Sequence, residues 1–464
     1  MSAAGGGRSG RWPLLALGVA LARVARLATR RLGRGGTTAP GRVLLRVEPR
    51  AIERLGRRLA AGSAVVSATN GKTTTAGMIA GILARAGQAV VHNRAGSNMS
   101  WGVVTALLDA GRGPDELGLF EVDEGWLPSV ARELRPRLIV LSNLFRDQLD
   151  RYGELEAIAD RWAELTEGLA GEADLVLNAD DPLIADLGRE RARVTYFGIE
   201  DDSLALPGLQ HAADSKHCRN CGAAYAYDAA YLAHLGRYRC PSCGRRRPEA
   251  HVAAERVTLH GMAGADVMLR TPAGPLELNL SLPGVYNVYN AMAATAATLA
   301  LGAPLDAVRQ GLEGAATVFG RVERLRVGER AVSILLVKNP AGANEVLRTL
   351  ILEEGELDLW LALNDRIADG RDISWVWDAD FELLAGRVRR VTCTGTRAEE
   401  MALRLKYAGV EAPLAVERDL GRSLDAAVAD GDGRPLYALP TYTALLDLRD
   451  LLAERGHAPR WSEL

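Results

Sequence analysis

The stretch "VSATNGKTTTAGMIAGILARAG", which begins at Val66, constrains this chain more than any other. An apolar run stops at Ala68, Gly71 supplies a turn, and Lys72 opens a segment in which Ile79, Ile82, Leu83 and Ala86 fall on one helical face. A strand, a glycine-bearing loop and a helix start, in that order, aim backbone N–H groups and a positive helix end at one point, which makes an anion site. Lys72 then reaches the outer phosphates of a nucleotide, and the Thr73 hydroxyl is a ligand for Mg²⁺. The predicted ATP contacts of the loop are Asn70, Gly71, Lys72, Thr73 and Thr74. An isolated Gly-Lys-Thr triplet also reads as a plain turn; the strand before it and the amphipathic helix after it favour the phosphate loop.

Such a loop needs a sheet to stand on. From about 56 to 200, runs such as "LGLFEVDE", "RLIVLSNL" and "ADLVLNADDP" are apolar and stop at polar residues, as buried parallel strands do. The expected fold is α/β: a central P-loop ATPase domain over 56–322 carrying an insert at 211–247, and a C-terminal Rossmann-like α/β domain over 323–464. Residues 1–55 read as a leader. With 464 residues there is room for two or three cores. A net charge of −2 argues against broad electrostatic binding to nucleic acid. The cations are almost all arginine. The four lysines are Lys72, Lys216, Lys338 and Lys406, so Lys72 and Lys338 stand out.

Within the leader, the uninterrupted apolar run Leu14 to Ala22 is too short to span a bilayer, and no small-residue cleavage site follows it. Arg23, Arg26, Arg30 and Arg31 make the segment a basic amphipathic helix that either packs on the next domain or touches anionic lipid. The expected location is the cytoplasm, near the membrane face.

Mg²⁺ requires further oxygen ligands. Glu121 ends the apolar run of "FEVDEGW", with Asp123 and Glu124 just after it; a solvated acidic loop is the alternative. Asp147 and Asp150 of "NLFRDQLDRYGE" either support the site or open the next helix.

"CRNCG" and "CPSCG" place Cys218, Cys221, Cys240 and Cys243 as two C-x₂-C knuckles, the spacing of a zinc ribbon. Four thiolates close a tetrahedral Zn²⁺ site with no open position, so the site is structural. Disulfides are the alternative. Tyr225, Tyr227, Tyr231 and Tyr238 could stack bases or pack the insert. The fifth cysteine, Cys393, reads as a packing residue, and the seven histidines form no evident catalytic grouping. A covalent nucleophile is therefore not evident, and the expected chemistry is activation by ATP with the nucleophile arriving from elsewhere.

The segment "LALNDRIADGRDISWVWDADFE" gathers Asp365, Asp369, Asp372, Asp378 and Asp380 beside Trp375 and Trp377. Acidic loops are usually solvated turns, but two tryptophans there suggest a contact surface or partial burial. A carboxylate in it could orient a histidine supplied by a partner protein.

Taken together, "ATNGKTTT", "NRAGSNM", "EVDEG", "NLFRDQLDRYGE", the four cysteines, "YNVYNA", "VKNPAG", "NDRIADGRDISWVWD" and "LPTYTALLDL" resemble the MurT family. These are the Mur-ligase-like synthetase subunits of lipid II isoglutaminyl synthases. The resemblance spans nearly the whole chain. It implies ATP-dependent amidation of the D-glutamate α-carboxyl in the lipid II stem peptide, with ammonia from a GatD-type glutaminase subunit in a heterodimer. It further implies Asn290 and Arg321 as nucleotide contacts and Glu121 as a Mg²⁺ ligand. Asp372 would complete the partner's Cys–His pair, with Asp365 and Asp369 as fallbacks. The chain departs from related ligases at Val66 and Ala68, where glycine is usual, and at Gln148, where amino-acid-adding relatives tend to have histidine. An amino-acid-adding Mur or folylpolyglutamate-type ligase is the alternative enzyme. A zinc-ribbon nucleic-acid binder is the non-enzymatic one.

Overall fold

The computed structural model describes residues 12–31, 38–93, 97–111, 113, 115–147, 155–169, 171–315, 322–429 and 432–459. The expected nucleotide contact Arg321 lies outside the described residues, as do Gln148 and Asp150.

Three helices come first: α1 (Trp12–Arg31), α2 (Ala39–Val47) and α3 (Ala51–Gly56). Strand β1 (Ser63–Ser67) then feeds the loop that opens α4 (Lys72–Arg85). There follow β2 (Val90–His92), α5 (Ser100–Leu107), β3 (Leu117–Glu121), α6 (Leu127–Leu134), β4 (Leu138–Leu141), α7 (Leu155–Gly168), β5 (Asp174–Asn178), α8 (Pro182–Asp186) and β6 (Val194–Ile199). A hairpin of β7 (Ala226–Leu232) and β8 (Leu235–Arg239) carries the cysteine insert. Strands β9 (Val252–Leu259), β10 (Ala265–Thr271) and β11 (Gly274–Leu280) precede α9 (Val285–Ala300) and α10 (Leu305–Glu313).

The first sheet has the order β11-β10-β9-β6-β5-β4-β1-β3-β2. It is parallel from β9 to β2, and β10 and β11 extend it antiparallel. Strand β1 lies between β3 and β4, so the connections leave its two sides in opposite directions. That divergence opens a crevice at the strands' carboxyl ends, where open α/β sheets bind ligands.

Both faces of this sheet are covered, which explains why its strands read as unbroken apolar runs. Alternate residues point to opposite sides. Ala64, Val66, Leu119 and Val140 join Ile79 and Ile82 of α4 and the alanine-rich face of α9 in one core. Val65, Phe120, Ile139 and Leu141 join Val103 and Leu107 of α5 and Trp162 of α7 in the other. The leader belongs to that second core through Leu15, Ala22, Leu44, Ile52 and Leu55.

The second sheet is built from β12 (Val322–Val327), β13 (Arg330–Leu335), β14 (Leu357–Ala362), β15 (Val388–Thr394), β16 (Leu414–Val416) and β17 (Leu436–Pro440), in the order β12-β13-β17-β14-β15-β16. All neighbours but β12–β13 are parallel. Helices α11 (Pro340–Leu350), α12 (Ala398–Tyr407), α13 (Leu420–Ala429) and α14 (Tyr442–Glu454) connect the strands. Trp360 faces one core of this unit, and Leu359 and Leu361 face the other.

Candidate functional site

Gly71 caps α4 with φ +88°, a left-handed conformation that L residues rarely adopt. A Cβ there would stand 2.1 Å from Asn290 Oδ1, so the position admits only glycine. Asn290 reaches the loop from beneath, on α9. Its Oδ1 accepts from Thr75 Oγ1 at 3.1 Å, and its Nδ2 donates to Asn287 Oδ1 at 3.0 Å. The other side of the loop is fixed to the segment after β4. Asn143 Oδ1 accepts from Asn70 N at 2.8 Å, and Asn143 Nδ2 donates back to Asn70 O at 3.0 Å. Phe145 N donates to Thr69 Oγ1 at 3.1 Å, and Leu144 N to Asp181 Oδ2 at 2.9 Å. The loop is thus held in shape by side-chain amides rather than by extra glycines. Ala68, 1% exposed, fits a position where its methyl needs no special backbone.

Lys72 is buried, and its Nζ donates to the carbonyl of Ala68 and, at 2.7 Å, to Glu124 Oε2. Burial opposes the charge of Lys72, yet Glu124, Asp123 and Glu121 together hold its pKa above the usual lysine value. Burial likewise pushes Glu124 up, and Lys72 with Lys338 outweighs it, so its pKa lies below the ordinary glutamate value. Removing one member of a buried pair leaves the other uncompensated, at a cost of about 3–5 kcal/mol. The pair is therefore a means of keeping a charged lysine indoors.

Glu121, Asp123 and Glu124 are all buried. Glu121 is anchored by Asn93, whose Oδ1 accepts from its N–H at 2.9 Å, and faces Asn98, whose Nδ2 donates to its Oε1 at 3.4 Å. A carboxylate so placed, beside a lysine and a helix start, has the chemistry to share a divalent cation with Thr73. These acidic residues do not form the solvated loop that sequence left open.

The second sheet adds residues at the same place. After β13, Lys338 pairs with Asp147 and donates to Thr69 O at 3.4 Å. Asn339 exchanges amide hydrogen bonds with Asn70: Asn339 Nδ2 donates to Asn70 Oδ1 at 3.0 Å, and Asn70 Nδ2 donates to Asn339 Oδ1 at 3.3 Å. The same Asn339 oxygen accepts from Gly342 N at 2.9 Å and so caps α11. Sequence reasoning did not place Asn339 in the site. An Asn-Pro step is a helix-start signal, but its meeting with Asn70 depends on how the two sheets dock.

The three aspartates considered for a partner's active site differ in what they touch. Asp369 is buried and accepts from Thr443 N at 2.7 Å and Thr443 Oγ1 at 2.6 Å; burial, partly offset by those bonds, raises its pKa. Asp365 accepts from Thr396 Oγ1 at 2.8 Å and lies 3.5 Å from Arg397. Asp372 is exposed and accepts from Ser374 N at 2.8 Å, a bond that lowers its pKa. Ile367 and Trp377 stand out in solvent on the same loop.

In the insert, Cys218, Cys221, Cys240 and Cys243 bring their sulfurs within 4.8 Å of one another. Each knuckle is turned by a glycine with positive φ, Gly222 at +75° and Gly244 at +74°. Hydrogen bonds to backbone and Asn220 lower the Cys243 thiol to about 6, toward the thiolate a metal needs. Four converging sulfurs with this backbone fit a zinc ion. The tyrosines pack the insert rather than face solvent: Tyr225, Tyr231 and Tyr238 are buried, and the rings of Tyr225 and Tyr238 meet edge-on at 4.9 Å. Cys393 is buried in the C-terminal core, as a packing residue would be.

Two family models match the chain: the Mur ligase middle domain over residues 66–298, and the MurT ligase C-terminal domain over residues 336–445. A protein of Staphylococcus aureus strain N315, the MurT subunit of a glutamine-hydrolysing lipid II isoglutaminyl synthase, is 34% identical over 93% of this chain and 96% of its own length. The MurT subunit of Streptococcus pneumoniae strain R6 is 31% identical over 95% and 97%. Among solved structures, a type C pseudomurein peptide ligase from Methanothermus fervidus superposes with a TM-score of 0.67 at 22% identity, covering 87% of this chain and 80% of that one. That likeness bears out the Mur-ligase-type fold.

Proposed function

We infer the function from one premise, that the chain belongs to the MurT family of Mur-type ligases. On that premise it is the synthetase subunit of a lipid II isoglutaminyl synthase and serves peptidoglycan synthesis. It converts the D-glutamate α-carboxyl of the stem peptide to the amide of D-isoglutamine. A carboxylate oxygen attacks the γ-phosphorus of ATP, ADP leaves, and an acyl phosphate remains. Ammonia adds to the acyl carbon, phosphate departs, and the nitrogen loses a proton. The single observation that carries the reading is the Lys72–Glu124 pair at the start of α4, a charged lysine held ready in a buried anion site.

In this reading the N–H groups from Gly71 to Thr74 hold the phosphates, Asn70 steadies the loop through Asn143 and Asn339, and Lys72 exchanges Glu124 for phosphate oxygens. Mg²⁺, held by Thr73 and Glu121, would draw charge from those oxygens. Asn290 keeps Gly71 in place beneath the nucleotide, and Arg321 is assigned to it by resemblance alone. The four cysteines hold Zn²⁺ and have a structural role. The ammonia comes from a GatD-type glutaminase bound as a heterodimer. Asp372, the exposed carboxylate of the three, orients the partner's catalytic histidine. The protein works in the cytoplasm, at the membrane face where lipid II is anchored.

The test combines the purified chain with the glutaminase, glutamine, ATP and lipid II. One ADP should form for each amide, and neither chain alone should use glutamine nitrogen. Incorporation of a free amino acid without the glutaminase would instead establish the amino-acid-adding alternative.

A further inference from the structure

Helix α1 takes no part in the nucleotide site, yet it is held firmly by one face. Leu15 and Ala22 are buried in the core below, and Gly18 lies so close to α2 that a Cβ would come within 2.6 Å of Leu44. Arg26 ties the helix to Asp109 at 2.8 Å. The opposite face is apolar and open. Leu14, Leu17, Leu21, Val24 and Leu27 are between 43% and 63% exposed. The first four are spaced i, i+3, i+7 and i+10, so they form one stripe roughly 15 Å long. Scattered exposed aliphatics are ordinary on a protein surface, but a contiguous row is not.

Charge is segregated in the same part of the sequence. The sequence before Glu48 holds nine arginines and no acidic residue, although the chain as a whole carries −2. Arg23 is exposed at the edge of the stripe, and Arg42 and Arg46 are exposed on α2. An aliphatic stripe edged by arginine in a fixed helix is the pattern of an in-plane interfacial helix. Among the described residues no helix is long and apolar enough to cross a membrane.

A second copy of this chain would satisfy the stripe but set arginine against arginine. An anionic bilayer satisfies both, with acyl chains for the leucines and phosphates for the guanidinium groups. The place on the fold suits a lipid-linked acceptor. Helix α1 packs on α2, and α2 sits on α5, whose Trp101 lies 4.7 Å under Arg42 and meets Trp126 edge-on at 5.2 Å, two residues beyond Glu124.

We propose that α1 docks in the plane of an anionic phospholipid surface, with Leu14, Leu17, Leu21 and Val24 among the acyl chains and Arg23 on the headgroup phosphates. The proposal rests on the inferred function only in that a lipid-linked acceptor brings the enzyme to a membrane.

The experiment floats the full chain with vesicles of phosphatidylglycerol and phosphatidylcholine, or of phosphatidylcholine alone, without substrate. The chain should float with the anionic vesicles only. The double variant Leu17→Glu/Leu21→Glu should lose this binding at least about tenfold, and Arg23→Gln about fivefold. Both sites face solvent, so the far-ultraviolet circular dichroism should not change. Amidation of a lipid-free muropeptide should also be unaffected. Absence of flotation, equal flotation with both vesicle types, or flotation indifferent to the double variant overturns the proposal. A concentration-dependent dimer that the double variant abolishes, without flotation, assigns the face to a second copy instead and also overturns it. Flotation by a protein that makes no amide would sink the inferred activity and leave the docking face standing.

Discussion

At the carboxyl ends of β1 and β3, Lys72, Glu121, Asp123 and Glu124 are all buried, whereas in the loop after β14 Asp372, Ile367 and Trp377 stand in solvent. Both sheets are chiefly parallel and gather polar residues at the same end. The difference lies in who completes the site. In the first sheet charge is turned inward, as an enclosed phosphate site requires: Lys72 pairs with Glu124 and Lys338 with Asp147, while Glu121 is held by the amides of Asn93 and Asn98. In the second, Asp369 is spent on Thr443 while its neighbour Asp372 keeps an oxygen facing outward. A loop that leaves Ile367, half of the Trp377 indole and the Asp372 carboxylate exposed to solvent suits a protein partner.

The contrast breaks most directly at Lys72. Lys72→Ala should lower ATP-dependent amidation by about a thousandfold or more, since the lysine meets charge that builds as the phosphoryl transfers. Because that change strands a buried Glu124, the double variant Lys72→Met/Glu124→Gln separates function from folding. It should melt near the wild-type temperature and remain inactive; an active double variant would mean that the loop does not hold the nucleotide. On the outward side, Asp372→Asn should cut the partner's glutamine hydrolysis by roughly a hundredfold, with nucleotide affinity unchanged. Asp369→Asn should act the other way, with a loss of about 1–3 kcal/mol in stability from the broken Thr443 contacts, read by denaturant melts. If the two phenotypes are exchanged, the outward and inward roles have been assigned the wrong way round.

A smaller effect concerns pH. Glu124 has a folded pKa below its unfolded value, so its contribution to stability is present above about pH 4.5 and is lost as acid titrates through the folded value. Lys72, raised above 10.5, contributes below that pH and loses its contribution as alkali titrates it. The stability profile of Glu124→Gln should therefore fall less steeply below pH 4.5 than that of the wild type, measured as melting temperature against pH. Identical acid limbs would show that the pair is not formed in solution. Smaller again, Asn339→Ala should cost about 1 kcal/mol through the lost α11 cap and raise the KM for ATP a few-fold.

Much of the first site was legible because its parts are local. The loop spans Ala68 to Thr74, and only two residues separate the cysteines of each knuckle, so spacing alone points to the chemistry. Partnerships across the chain were not legible. Glu124 lies 52 residues from Lys72, and Asn339 lies 269 from Asn70. Sequence brought Glu124 forward only as one acid among three, and nothing local told Asp369 from Asp372, since Thr443 arrives from a distant helix. Periodicity left two fates open for the leader. The structure gives α1 a packed face and an open one, so the alternatives are not exclusive.

The mutual amide bond between Asn70 and Asn339 has a further implication. It joins the two halves of the molecule at the mouth of the phosphate loop without any net charge, beside the ionic Lys338–Asp147 link. The ionic link is itself largely buried, its side chains 21% and 13% exposed, so salt weakens it little and the neutral amide pair less still. With Arg146 beside Asp378 and Gln210 on Asp380 bridging the same two units, high salt alone should not part the halves.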